Sequence, residues 1–219
     1  MRVVILCLAL LSLGYCNPSN FKAQLNQDFA FIQQNIGGDS LLIEATYYEI
    51  GDPENGIEPD LLRSLKAYGK LYQSKNPVAS YKLGMLAWMY QENKNSVEKN
   101  IINELKKIDG LNPEKYLKNG SEWNKEVRYE EISNLNRIAY GIYLFSQNKY
   151  NESIKVLNSQ YVSERSLAQL YIAFNYLQLK RTDLADFYLN KACNNPQIDN
   201  SVFEFCANSA SLNRENIDW

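Results

Sequence analysis

The chain of 219 residues contains no histidine. This removes the side chain most often used for proton transfer near neutral pH, and the commonest nitrogen ligand for a transition metal. Cysteine is scarce as well, with four residues, of which Cys7 and Cys16 fall inside the first sixteen. A Cys/His zinc cluster or a Cys–His nucleophile therefore has no partners to draw on. The GxSxG, HExxH and CxxC spacings and a glycine-rich phosphate loop are also missing. Neither sign of charge dominates: 23 Lys and Arg face 25 Asp and Glu, and the two are mixed along the chain. No basic stripe exists to hold nucleic acid or an anionic membrane surface. Beyond residue 13 no stretch is apolar enough for a membrane helix, which needs about 20 such residues.

What is present begins with "MRVVILCLALLSLGYCNPSN". Arg2 precedes an apolar run from Val3 to Leu13, broken by Ser12 alone, and small residues follow. A short apolar core with a basic start is the pattern of a secretory signal peptide. Ser12-Leu13-Gly14 suits an ordinary cut after Gly14. Leu13-Gly14-Tyr15-Cys16 resembles a bacterial lipobox, with Tyr15 where such boxes carry a small residue, and would make Cys16 a lipidation site. A cut after Gly14 leaves an odd number of cysteines, whereas lipidating or removing Cys16 leaves Cys193 and Cys206 as a pair. The expected location is the periplasm, or the outer membrane through a lipid on Cys16.

From Phe21 onward the apolar residues recur three and four apart, which predicts helices joined by short turns and an all-α fold. The spacing predicts a helix over 21–36 ending at Gly37-Gly38, and a second over 39–50 with Asp39 or Ser40 as its cap. Glu58-Pro59 suits the first turn of a helix continuing through Leu61–Gln73. Asn76-Pro77 punctuates the chain again. Residues 110–130 read as a loop with a short helix.

Two stretches align with each other: "NRIAYGIYLFSQNKYNESIKVLNSQ" (136–160) and "LAQLYIAFNYLQLKRTDLADFYLNKA" (167–192). Each has a small residue in its first helix, Gly141 or Ala173. Another small residue stands in the second helix, Ser153 or Ala185. A polar pair separates them, Asn148-Lys149 or Lys180-Arg181, and Leu157 or Leu189 closes the second helix. With Tyr176, Ala192 and Pro196, the pattern resembles the tetratricopeptide repeats and the related Sel1-like repeats. "YKLGMLAWMY" (81–90) is similar to a Sel1-like first helix, and "SVFEFCANSASL" (201–212) to a terminal half-repeat. Small residues belong where paired helices cross, because they let the axes approach. Arg137 and Gln160 depart from the pattern.

The resemblance implies an antiparallel helix-hairpin array, an α-solenoid, with an irregular N-terminal helical part. The expected organisation is a signal peptide over 1–16, N-terminal helices over 17–57, and a degenerate repeat region with an insertion over 58–130. Two repeats plus a capping helix follow over 131–219. It also implies a concave groove for a protein or peptide, lined by Tyr81, Met85, Trp88, Met89, Ile142, Phe145, Phe174 and Leu177. The same stripe is also what a helix core looks like, and the 21–36 helix could fill the groove itself. The carboxylate pairs Glu130-Glu131 and Asp183/Asp186 read as helix-terminal or solvated charges, Asp183 following Thr182 as a cap. No catalytic residue, metal or cofactor is expected. The expected function is a non-enzymatic adaptor or assembly factor of the bacterial envelope; the alternative is an immunity protein that covers a secreted toxin such as a lipase effector.

Cys193 and Cys206 flank "NNPQIDNSVFEF". Their readings are a structural disulfide, a redox pair, or two free core thiols. Each cysteine lies near the same connection, and export favours the oxidised state, so the disulfide is expected to pin the last helix. Asp199 or Asn200 is expected to cap that helix.

Overall fold

The computed structural model describes residues 39–51, 56–95, 97–123 and 126–215, with side chains as far as Ser209. The expected signal peptide, the 21–36 helix and Cys16 lie outside the described residues. Among those described there are ten α-helices and no strand. They are α1 (Ser40–Ile50), α2 (Leu61–Gln73), α3 (Pro77–Glu92), α4 (Lys99–Ile108), α5 (Pro113–Glu122), α6 (Glu130–Ser146), α7 (Tyr150–Leu157), α8 (Ser166–Gln178), α9 (Thr182–Cys193) and α10 (Asn200–Glu215). A 3-10 turn, Val127–Tyr129, leads into α6. The chain separates into two compact units at Asn136/Arg137.

In the unit that ends at Asn136, side-chain caps set the helix starts. Asp39 accepts from the Leu41 N–H at 3.0 Å, Asp60 from Arg63 at 2.9 Å, and Asn76 from Val78 at 2.9 Å. Each satisfies a donor that the first helical turn cannot pair internally. Asp60 rather than Glu58-Pro59 thus begins α2, and those two residues lie just ahead of the helix. Pro77 occupies the first position of α3, where a missing N–H costs nothing. The 110–130 segment contains α5 and the 3-10 turn.

Packing in this unit depends on small residues and short polar ties. Ser64 donates to the Ala45 carbonyl at 2.7 Å, fixing α2 on α1. Gly84 lets α3 approach α5 so closely that a Cβ there would lie 2.8 Å from Leu117 Cγ. Ser80 donates to the Tyr116 carbonyl at 2.5 Å across the same contact. The Tyr72 hydroxyl donates to Asp109 at 2.6 Å and accepts from Asn119 at 2.7 Å. Its ring packs on Tyr116 and Trp123, with centroids 5.0 and 5.1 Å away. Burial, together with the bond to Asp109, raises the Tyr72 pKa well above its ordinary 10.0; burial chiefly does the same for Tyr116. Both hydroxyls are therefore donors in a packed network, held neutral.

The unit that begins at Arg137 shows the small-residue crossing expected from the sequence. A Cβ on Gly141 would fall 2.4 Å from Leu157 Cγ, so α6 and α7 touch at that glycine. Ser153 donates to the Gly141 carbonyl at 2.8 Å, and Asn175 of α8 donates to Ser153 Oγ at 2.8 Å and to the Tyr171 carbonyl at 2.6 Å. One buried chain of hydrogen bonds thus ties three helices. Ala173 and Ala185 are buried where α8 meets α9. Arg137, the departure from the repeat pattern, lies over the Tyr161 ring at 4.4 Å, a cation–π contact that the connector beyond α7 supplies.

Three helix ends share one closing turn. Lys75, Asn148 and Lys180 have φ of 63°, 61° and 58°. The residue after each donates back five positions: Asn76 to Leu71, Lys149 to Leu144, and Arg181 to Tyr176, at 2.9–3.0 Å. Each left-handed residue itself donates three back, to Tyr72, Phe145 and Leu177. This is the Schellman motif, made here without glycine. Two of these turns are the polar pairs of the aligned copies; the third, between α2 and α3, is an additional instance.

Cys193 and Cys206 are joined in a disulfide with Cα atoms 5.8 Å apart, linking α9 to α10. Two capping expectations need correction. Asp199 receives the Phe203 N–H on its backbone carbonyl, but its carboxylate accepts from the Leu167 N–H at 3.1 Å and from the Ser166 hydroxyl. It therefore caps α8, whose own preceding residue, Arg165, offers no side-chain acceptor. Thr182 is the first residue of α9 and caps nothing, while Asp183 stands in the first turn, where the helix dipole favours an anion.

Candidate binding cleft

The residues expected to line a groove divide between the two units. Tyr81 and Trp88 of α3 are each 1 % exposed, and Ile142 and Phe174 are fully buried. Phe145 and Leu177 are also buried, Met85 is half-buried, and Met89 is 43 % exposed. Phe145 packs against Tyr171 and Phe174, with centroids 5.4 and 6.3 Å away, and Phe174 against Phe205 at 5.4 Å. These aromatic side chains are interior packing, the core reading that the stripe allowed beside the groove implied by the resemblance. The reason is physical: a helix covered on both sides shows the same apolar periodicity as one that lines a groove.

The open feature is a different one. A cleft of about 910 Å³ lies in the unit ending at Asn136. Its apolar lining comes from Ile57 and Pro59 in the connector, Leu61 and Leu62 at the start of α2, Leu86 and Met89 on α3, and Val97 and Ile101 at α4. Val97 and Ile101 are buried and form floor, whereas Leu61 is 46 % exposed. Leu61 reaches this position because Asp60 ends the connector and starts α2 there. The Asp60 N–H, in turn, donates to the Tyr48 carbonyl at 2.7 Å, which fastens the connector to α1.

The charged lining is Glu49, Glu58, Asp60, Arg63 and Glu98. Glu49 is committed, accepting from Lys82 at 2.7 Å and from the Tyr68 hydroxyl at 2.8 Å. Asp60 is committed to its cap. The Arg63 guanidinium lies 3.8 Å over the Tyr48 ring and 3.9 Å from a Glu44 oxygen. Glu58 and Glu98 are exposed and form no ion pair with any described residue; Glu98 stands before α4 without making a side-chain cap bond. The cleft can therefore take an apolar group into its middle and offer carboxylate at its edge. Among the described residues no three cysteine or carboxylate side chains converge as a metal site would need. No helix among them is long and apolar enough to cross a membrane.

Sequence reasoning placed Met89 among the binding residues but missed Leu61, Leu62, Glu58 and Glu98. The signal available was "GIEPDLL", an apolar pair next to acidic residues at a turn, which reads equally as a helix start. No protein-family model, no curated protein and no solved structure matches the chain.

Proposed function

We propose that the protein is an exported, non-enzymatic helical repeat protein that holds a partner protein in the cleft between α1, α2, α3 and α4. The observation that carries this reading is the cleft's half-exposed apolar lining at Leu61, formed where helix ends meet. A folded chain leaves apolar side chains open at such a cleft at a solvation cost, and a concave, partly apolar lining with a few polar groups is the usual form of a binding site. The architecture we propose is an array of antiparallel helix hairpins of tetratricopeptide or Sel1-like kind. Its support is the shared closing turn at Lys75, Asn148 and Lys180 and the crossing at Gly141. Export, to the periplasm or as a lipoprotein on Cys16, is favoured by the Cys193–Cys206 bridge, since such bonds persist outside a reducing cytosol.

The test is site-specific photocrosslinking in cells that make the protein. A benzophenone amino acid at Leu61 should yield a discrete adduct of higher mass, and one at exposed Glu204 should not. Equal adducts from both positions, or none from Leu61, would end the proposal.

A further inference from the structure

We infer that the occupant of the cleft is an apolar segment of a partner protein flanked by lysine or arginine. The inference rests on the partner-binding reading and deepens it by naming the chemistry of what binds. Among the described residues, four of the five charged ones that line the cleft are acidic. Two of those are already neutralised or engaged: Glu49 by Lys82, and Asp60 by the first turn of α2. The cation among the described lining residues, Arg63, is drawn onto Tyr48 and toward Glu44. What remains for a ligand to meet is the pair Glu58 and Glu98, exposed and without a cation partner among the described residues. Lys99 follows Glu98 in the chain but does not line the cleft.

An apolar floor excludes a purely polar cation, and unpaired rim carboxylates disfavour anionic lipid, nucleic acid and acidic peptide. Carboxylates beside a low-dielectric concavity act over a longer range than on a flat surface, because the field is focused. A basic residue on each side of an apolar stretch answers both features at once, as in helix-in-groove recognition. Charges at a rim of this kind govern partner choice and association rate more than final affinity.

The experiment uses the whole protein and three labelled synthetic peptides that share one leucine pattern and carry Lys, Gln or Glu at the polar positions. Fluorescence anisotropy at low salt should rank them Lys, Gln, Glu, with about a tenfold step between the first two. The step should shrink as sodium chloride approaches molar concentration, where screening acts within a few ångströms. The double variant Glu58→Lys/Glu98→Lys should reverse the ranking, and Glu58→Gln/Glu98→Gln should flatten it. Both residues are exposed, and circular dichroism is the check that the variants keep their helices. A ranking that survives charge reversal overturns the inference, since binding then occurs elsewhere. Equal binding of all three peptides, abolished by Leu61→Ser, overturns the basic class while leaving partner binding intact. A monomer that binds none of the three, with Leu61 crosslinking only to its own chain, overturns both. A dimer in sedimentation that the charge reversal dissociates makes a second copy the occupant, and the inference fails.

Discussion

Replacing Gly141 by alanine tests whether α6 and α7 are held by contact at one glycine. A methyl there would stand 2.4 Å from Leu157 Cγ, 2.5 Å from Cδ2 and 3.1 Å from Cδ1. Carbon atoms rest at about 3.5–4.0 Å, so more than an ångström of displacement is needed. Leu157 is fully buried and cannot swing outward. Overpacking of this kind costs about 1–3 kcal/mol. Alanine in a helix interior is favoured over glycine by about 0.5–1 kcal/mol, which offsets part of it. The net expectation is a loss of about 1–2 kcal/mol, read as a fall in thermal midpoint of about 2–8 °C for a chain of this size. Leu157→Ala alone should cost about 2–5 kcal/mol through its cavity. In the double variant the new methyl enters the space left by the leucine, so the two losses should fall short of additive by at least about 1 kcal/mol. Urea unfolding followed by far-UV circular dichroism measures all four members of the cycle. A Gly141→Ala protein as stable as the parent, or strict additivity, would refute the close crossing.

Two further outcomes follow from the same structure. Removing the disulfide with Cys193→Ser/Cys206→Ser should cost about 3 kcal/mol, the chain-entropy value for a loop of about 15 residues. Amide exchange should then rise in α10 before α8, and equal rises in the two helices would contradict the assigned role. At alkaline pH the tyrosine network sets the sign: Tyr72 and Tyr116 have pKa values raised above 10.0 in the fold, so the unfolded chain loses these protons first. Stability should be full below pH 10 and fall above it by up to about 1.4 kcal/mol per pH unit for each tyrosine. Tyr72→Phe should lower stability at neutral pH yet reduce that slope; a slope unchanged by the substitution would remove Tyr72 from the account.

Helix boundaries were legible in part: Asp39 was one of two caps offered for α1, and Asn76-Pro77 read as a break, where Asn76 caps α3. The crossing at Gly141 and Ser153 was legible for a related reason, since a small residue twelve before another across a polar pair has few other uses in paired helices. The bridge between Cys193 and Cys206 followed from their sharing one connection. Asp199 was misplaced because its carboxylate serves a helix start thirty-odd residues earlier in the chain, a partner that no local pattern reveals. Phe145, Phe174 and Trp88 show the limit of periodicity, which reports that a face is covered and is silent on whether the cover is the same chain. The cleft escaped notice because it is made largely of ends: the last turn of α1, a connector, and the starts of α2 and α4, with Leu86 and Met89 of α3 beside them. Its lining is drawn from separate stretches of the chain, and none of them carries a periodic signal for it.

The hydrogen bonds from Asn175 to Ser153 and from Ser153 to Gly141 have a mechanical consequence. Leucine faces can slip past one another by a helical turn, about 5.4 Å, and still keep oil against oil. Here such a slip would strand the Asn175 amide and drive Leu157 off its glycine in the same movement. The three helices are indexed, like a gear with one marked tooth. Any motion imposed on this unit must carry α6, α7 and α8 together as one piece and be taken up beyond them, in the turn at Lys180.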